Sequence, residues 1–136
     1  MADTVRRVEY AYVTVPDTPV RAIGSSGCSG RGVNLLAYLG FPLGGGQSQI
    51  DLVPEDPQSL REAAAGAGIT LSEAKQAFLA QEDDRVGAVA DTPAKLAEAS
   101  INVTAAAATS AGEGRYGMIL WVAHADFERA AGALGL

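Results

Sequence analysis

The sequence has very little of the residue types from which metal sites and many catalytic sites are built. Its 136 residues include one histidine, His124, and one cysteine, Cys28. A histidine-based metal cluster is therefore excluded, as is a disulfide within the chain. A Ser-His-Asp triad would depend on His124 alone. These scarcities predict a protein without a metal or cofactor, and they argue against an enzyme.

Positive charge and long apolar runs are scarce as well. Lys and Arg number 10 against 16 Asp and Glu, which gives a formal net charge of -6. Such a chain repels nucleic-acid phosphates and anionic membranes, so we expect neither as a partner. No run approaches the ~20 apolar residues of a membrane span, and the N-terminal residues contain no apolar signal core. The expected location is the cytoplasm.

An internal repeat is present instead. Three landmarks recur in the same order, two of them 68 positions apart and the third 67 positions apart. The pairs are Val33-Asn34-Leu35 with Ile101-Asn102-Val103, Gly44-Gly45-Gly46 with Gly112-Glu113-Gly114, and Asp17 with Asp84. Because a repeat decides the architecture before any single element does, we predict two modules, residues 1–72 and 73–136.

The first half is predicted to contain three strands and a helix. Residues 7–15, 33–41 and 48–53 have the composition of strands, and a glycine-rich hairpin joins the last two. Residues 55–66 combine an acidic start, an early proline and a final glycine, which are helix signals, and residues 69–71 are a candidate short strand.

The second half repeats this order. Strands are predicted at 76–81, 101–107 and 116–122, and helices at 94–99 and 125–134. Pro93 interrupts what should be one helix over 86–99, so it either kinks that helix or starts a shorter one capped by Asp91 or Thr92. The predicted fold class is α+β, with two ferredoxin-like βαββαβ modules whose helices cover antiparallel sheets.

The landmarks of both halves resemble those of ACT domains, ferredoxin-like modules that bind amino acids and other small effectors. The resemblance lies in Asp17-Thr18-Pro19 with Val33-Asn34-Leu35, and in Asp84-Arg85-Val86-Gly87 with Ile101-Asn102-Val103. It covers nearly the whole chain, which looks like a stand-alone pair of ACT modules. The resemblance implies a regulatory module without catalytic residues, and this agrees with a chain that offers no coherent catalytic set.

The resemblance also implies a ligand site in each module. The turn after the first strand would present backbone N–H groups to a ligand carboxylate, with Gly87 allowing close approach. Asp84 would accept from a ligand ammonium or cap the helix, and Asn102 would offer a donor and an acceptor or only end its loop. The candidate ligand-binding residues are Asp84, Arg85, Val86, Gly87, Asn102, Asp17, Asn34 and Leu35.

The first module departs from the pattern where its ligand would lie. Residues 20–32 contain four Gly and three Ser, a composition that opposes a helix. The pattern returns at Val33, which suggests the hypothesis that this stretch is read in a shifted frame, natural or from a sequencing error. Electron density or a peptide mass over these residues tests that hypothesis.

Three functions stay open at this point. The first is a sensor, expected to be a homodimer, that binds an amino acid-like effector between modules and acts on a regulated partner protein. The second is a protein-interaction module without a small ligand. The third is a small enzyme of the dimeric α+β barrel type, for which only His124 or a tyrosine is available. Arg115 either binds a ligand carboxylate or is an exposed hairpin residue.

Overall fold

The computed structural model describes residues 3–16 and 32–136. The chain divides into two compact units: Glu9–Lys75, called the central unit below, and Met1–Val8 with Gln76–Leu136, called the C-terminal unit. The elements of the described residues are β1 (Thr4–Pro16), β2 (Leu35–Gly44), β3 (Gln47–Pro54), α1 (Pro57–Ala67), β4 (Lys75–Asp83), α2 (Ala88–Glu98), β5 (Val103–Gly112), β6 (Arg115–Val122) and α3 (Phe127–Ala133).

In the central unit the strand order is β2-β3-β1, and β3 is antiparallel to both neighbours. Helix α1 begins where the Asp56 carboxylate accepts from the Gln58 N–H at 3.1 Å, and it ends at Gly68, whose φ of 71° is left-handed. Leu60 of α1 packs onto Ile50 and Leu52 of β3. Burial of these side chains, each worth roughly 1.5–3 kcal/mol, holds the helix on the sheet.

The C-terminal unit repeats this arrangement with the order β4-β6-β5, in which β6 is antiparallel to both neighbours. Both α2 and α3 contribute to its core. Leu96 of α2 and Phe127 of α3 meet Phe78 and Leu120 of the sheet, and all four are at least 96% buried. The Phe78 and Phe127 rings stack with their centroids 4.5 Å apart.

The two hairpins have the same register. Leu35 pairs with Pro54 and Gly44 with Gln47 in the central unit, while the C-terminal unit pairs Val103 with Val122 and Gly112 with Arg115. Both ladders shift at their two ends, again 68 positions apart. The turn residues also correspond, since Gly44-Gly45-Gly46 and Gly112-Glu113-Gly114 all have positive φ.

The predicted fold class and hairpins are confirmed, and two local predictions are wrong. Residues 69–71 form no strand, and a backbone hydrogen bond from this segment to β1 comes after them, from the Ser72 N–H to the Tyr12 carbonyl at 2.8 Å. Helix α2 runs through Pro93 and starts earlier, at left-handed Gly87 with φ 84°, so neither Asp91 nor Thr92 caps it. Pro93 costs one hydrogen bond, to the carbonyl four residues before it.

Several predictions fall on residues 17–31, which lie outside the described residues. They concern Asp17, Cys28 and all but the last residue of the glycine- and serine-rich stretch 20–32. Within the described residues, no helix is long and apolar enough to cross a membrane.

Candidate functional site

The turn between β4 and α2 rests on a fixed base. The Asp84 N–H donates to the Gly114 carbonyl at 2.7 Å, which ties the turn to the β5–β6 hairpin. Beneath it, Arg115 Nη1 donates to Asp83 Oδ1 at 2.8 Å and to Asp3 Oδ1 at 2.7 Å. A second guanidinium nitrogen of Arg115 donates to the Gln81 carbonyl at 3.0 Å. These hydrogen bonds hold the base of the turn in place.

The hydrogen bonds at the base of the turn shift the pKa values of Asp3 and Arg115. Asp3 Oδ1 also accepts from the Asp83 N–H at 2.9 Å. That backbone hydrogen bond, followed by the Arg115 guanidinium, lowers the pKa of Asp3. The hydrogen bond to Asp83 raises the pKa of Arg115. The sequence allows Arg115 to be either a ligand-binding group or an exposed hairpin residue. In the structure, its guanidinium instead joins the start of β6 to Asp83 and to Asp3.

The turn itself is exposed. Arg85 forms an ion pair with Asp91 of α2, which raises the pKa of the guanidinium. Val86 is fully exposed, and Gly87 occupies the N-cap position of α2 without any side-chain hydrogen bond to the cap. Asp84 is thus not the cap of this helix. The main chain at residues 85–87 is open to an approaching molecule, as a carboxylate-binding turn requires.

Tyr116, which the sequence does not indicate as a site residue, contacts Glu82 of β4 and the first residue of α2. The Tyr116 hydroxyl donates to Glu82 Oε2 at 2.7 Å and lies 3.2 Å from the carbonyl oxygen of Ala88, the first residue of α2. Tyr116 is 2% exposed, and burial, followed by the Glu82 carboxylate, raises the pKa of its hydroxyl. The alternating pattern of β6 indicates that Tyr116 is buried, but the pairing with Glu82 requires the register of β4 and β6.

Asn102 lies at the other end of α2 from the turn. The helix has 11 residues between them, which at 1.5 Å per residue corresponds to roughly 16 Å. The Asn102 side chain is exposed and makes no hydrogen bond to any described residue. One small ligand therefore cannot contact Asp84 and Asn102 of the same unit.

In the central unit, the equivalent asparagine has a partner. Asn34 Nδ2 donates to Glu55 Oε2 at 2.9 Å, and the Glu55 N–H donates to the Asn34 carbonyl at 2.9 Å. Leu35, the next residue, packs against the core of its unit. Asn34 and Leu35 thus close the end of the β2–β3 hairpin, whereas Asp17, the third residue predicted for this site, lies outside the described residues.

One further polar candidate from the sequence, His124, lies among the described residues. His124 is exposed at the start of a short 3-10 turn before α3. Over residues 3–16 and 32–136, no group of three or more His, Cys, Asp or Glu is arranged to hold a metal ion.

Comparisons with known proteins identify the fold. No protein-family model matches the chain, and no curated protein matches it. Solved structures do: protein BT0572 from Bacteroides thetaiotaomicron superposes with a TM-score of 0.80 at 10% identity, over 96% of this chain and 88% of that one. The regulatory subunit of aspartate kinase from Thermus thermophilus gives 0.63 at 20% identity, over 98% and 94%.

A third structure agrees. The aspartokinase alpha and beta subunits match with a TM-score of 0.59 at 17% identity, over 100% of this chain and 99% of that one. The fold is ACT-like. Identities at this level establish the fold alone, so they confirm the predicted ferredoxin-like architecture and leave the ligand to be argued from this chain's own residues.

Proposed function

We propose that this protein is a non-catalytic regulatory module made of two ACT modules, which binds an amino acid or a related small metabolite. The matching strand bounds, registers and bulges of the two hairpins support the tandem arrangement. The regulatory subunit of aspartate kinase has the same fold, which supports a regulatory role.

The ligand site is supported by two features of the C-terminal unit. The β4–α2 turn is anchored at its base, and the Asn102 side chain makes no hydrogen bond to a described residue. Residues 84–87 are held at their base by Gly114 and Arg115 and are exposed at their tip. Asn102 offers an amide donor and acceptor that no described residue uses. We assign the ligand carboxylate to the turn N–H groups and the ligand ammonium to Asp84.

The distance between the turn and Asn102 along α2 determines which modules can contribute to one ligand site. Since the turn and Asn102 stand at opposite ends of an 11-residue helix, a ligand that uses both binds the turn of one module and the asparagine of another. A homodimer supplies that second module. Binding then favours one packing of the modules over another and passes the signal to a partner protein.

A screen of amino acids, nucleotides and common metabolites by thermal shift tests this function. A ligand at 100 times its dissociation constant stabilises by ~2.7 kcal/mol, so a true effector gives a clear rise in Tm. NMR titration of the hit must then shift the amides of residues 85–87. A flat screen, or shifts confined to other residues, contradicts the proposal.

A second function is favoured by one specific observation. Strand β2, at the end of its unit's strand order, exposes Tyr38, Phe41 and Leu43 by 49%, 42% and 51%. Exposed aromatic residues on a sheet edge are typical of protein-binding surfaces. Recovery of one stoichiometric partner whose binding is lost in Tyr38→Ser and Phe41→Ser, and is indifferent to metabolites, would favour this interaction module over the sensor.

A further inference from the structure

The first turn of α2 is weakly tied to the rest of its helix. It begins at Gly87, which supplies no side-chain hydrogen bond to the cap, although a capping side chain normally stabilises a helix start. Pro93, within the helix, has no N–H to donate to the Val89 carbonyl, so one hydrogen bond of the helix is missing. Residues 88–92 therefore depend on contacts from outside the helix to stay in place.

Tyr116 of β6 supplies a polar contact of this kind. Its hydroxyl oxygen lies 2.7 Å from Glu82 Oε2 and 3.2 Å from the Ala88 carbonyl oxygen. Both of these groups accept hydrogen bonds while Glu82 is charged, and a hydroxyl has a single hydrogen to donate. Burial raises the pKa of the hydroxyl, so Tyr116 keeps that hydrogen. Glu82 and Ala88 therefore compete for it.

The charge of Glu82 decides this competition. Arg85 of the turn and Asp91 of α2 also act on the hydroxyl by their charges, and they pair with each other. A carboxylate accepts a stronger hydrogen bond than a neutral carbonyl, and the shorter distance to Glu82 agrees with this. A Glu82 that has taken up a proton from solvent can instead donate it to the Tyr116 oxygen, which frees the tyrosine hydrogen for Ala88.

We propose that Glu82 and Tyr116 form a proton-sensitive switch that sets how firmly the first turn of α2 is held. With Glu82 charged, Tyr116 donates to the carboxylate and the turn is loosely held. With Glu82 protonated, Tyr116 donates to the Ala88 carbonyl and the turn is fixed to β6. The inference goes beyond the proposed function, because the switch operates in the free protein and requires neither a ligand nor a second module.

Hydrogen exchange of backbone amides in the full chain, without ligand, measures how often this turn opens. The Ala90 N–H donates to the Gly87 carbonyl at 3.1 Å and reports on the first turn of α2. The Ile101 N–H donates to the Leu96 carbonyl at 2.9 Å and reports on the far end of the helix. Local opening breaks the first bond without the second. The switch therefore changes exchange at Ala90 alone, and equal changes at both amides overturn the proposal.

Glu82→Gln imitates the uncharged side chain. At neutral pH it should slow exchange at Ala90 by about threefold or more, because a neutral acceptor competes less well for the tyrosine hydrogen. Loss of a carboxylate near the start of a helix would by itself loosen the helix, since a negative charge there is favourable. Faster or unchanged exchange at Ala90 in Glu82→Gln therefore contradicts the proposal.

A second substitution tests whether Glu82 acts through the hydroxyl. The double variant Glu82→Gln with Tyr116→Phe should exchange at Ala90 as fast as Tyr116→Phe alone, because neither protein has a hydroxyl hydrogen to pass on. The matched control is Tyr38→Phe, which alters an exposed tyrosine of the central unit and should leave the slowing by Glu82→Gln intact. Circular dichroism checks that each variant is folded. Slowing that persists without the Tyr116 hydroxyl overturns the proposal.

Acidity supplies an independent test, which needs no substitution of Tyr116. At neutral pH the wild type should exchange faster at Ala90 than Glu82→Gln. The ratio of the two rates should approach one as the pH falls through the range in which carboxyls take up protons, about pH 3–5. Comparison at each pH cancels the intrinsic pH dependence of exchange and the titration of Asp91, which the two proteins share. A ratio that stays constant over this range overturns the proposal.

Discussion

Asn34 and Asn102 hold the same place in their units, yet they differ in what surrounds them. The central unit places Glu55 beside Asn34, and the two are joined by a side-chain and a backbone hydrogen bond. The equivalent of Glu55, 68 positions later, is Ala123, which has no group to pair with the Asn102 side chain. A repeated residue thus closes a hairpin in one unit, whereas in the other its side chain makes no hydrogen bond to a described residue.

The two hairpins also differ beside the turn. Arg115, at the first position of β6, holds Asp83 and Asp3, whereas the equivalent residue of the central unit is Gln47. Its side chain is 14% exposed. Only the C-terminal unit therefore anchors the base of its turn by a guanidinium among the described residues.

Arg115→Gln transfers the central unit's residue to the C-terminal unit and should have the largest effect. Loss of the guanidinium leaves the Asp83 and Asp3 carboxylates facing each other, so Tm should fall by several degrees in a thermal melt. Arg129→Gln, which removes an exposed pair with Asp126, is the control and should change Tm much less. Equal effects would show that Arg115 does not anchor the turn.

Asn102→Ala should come next, now measured on ligand affinity. A lost hydrogen bond of about 1.5 kcal/mol weakens the hit of the metabolite screen by roughly tenfold. Asn34→Ala is the matched control, because its amide is already used by Glu55. Titration calorimetry on both variants decides the comparison, and equal losses would mean that the two asparagines act alike.

The two units differ at the position of Asp51 in β3, and this difference gives a pH-dependent prediction. It is 5% exposed, and the equivalent residue of the C-terminal unit is Ile119. Burial, partly offset by the hydrogen bond from Gln49, raises the pKa of Asp51 above its ordinary value of 3.8. As the pH rises, the Asp51 carboxyl therefore loses its proton at a lower pH in the unfolded chain than in the folded one. The free energy of unfolding consequently decreases as the pH rises above the unfolded-state pKa of Asp51.

Asp51→Asn should accordingly be more stable than the wild type at neutral pH, with a gain that disappears as the pH falls below about 4. Chemical unfolding across this range measures it. Asp56→Asn is the opposite control, because the Ser59 hydroxyl lowers the pKa of Asp56, so its carboxylate stabilises the fold above its unfolded pKa. A less stable Asp51→Asn at neutral pH would contradict the account.

Glu113 gives the smallest expected change. Its φ is 54°, a left-handed value that costs a residue with a Cβ about 1 kcal/mol, and the equivalent residue of the central unit is Gly45. Glu113→Gly should raise the free energy of unfolding by at most that amount, and Gly45→Glu should lower it similarly. Thermal melts of the two variants that move in the same direction would refute the strain argument.

Local sequence signals predicted most of the fold. Alternating residues and glycine-rich turns placed both hairpins, because strand patterning and turn chemistry are encoded within a few neighbouring residues. The course of α2 could not be predicted from Pro93, since the packing of Leu96 against the core outweighs one lost hydrogen bond.

The candidate site could be predicted only in part. The turn at residues 84–87 and Asn102 were visible as repeated residue types, but their separation along α2 follows from the helix that lies between them. The role of Arg115 depends on its register opposite Asp83, and that of Asn34 on Glu55, 21 positions away. Pairings across strands are set by the whole fold and not by local sequence.

Ala123→Glu tests the central claim most directly, because it gives Asn102 the carboxylate that occupies Asn34. The equivalent pairing of Val103 with Val122 and of Leu35 with Pro54 places the new side chain beside Asn102. Affinity for the hit of the metabolite screen should fall by roughly tenfold or more, while Ala123→Gln, without the charge, should weaken it less. Unchanged affinity in Ala123→Glu would contradict the claim that a free Asn102 reads the ligand.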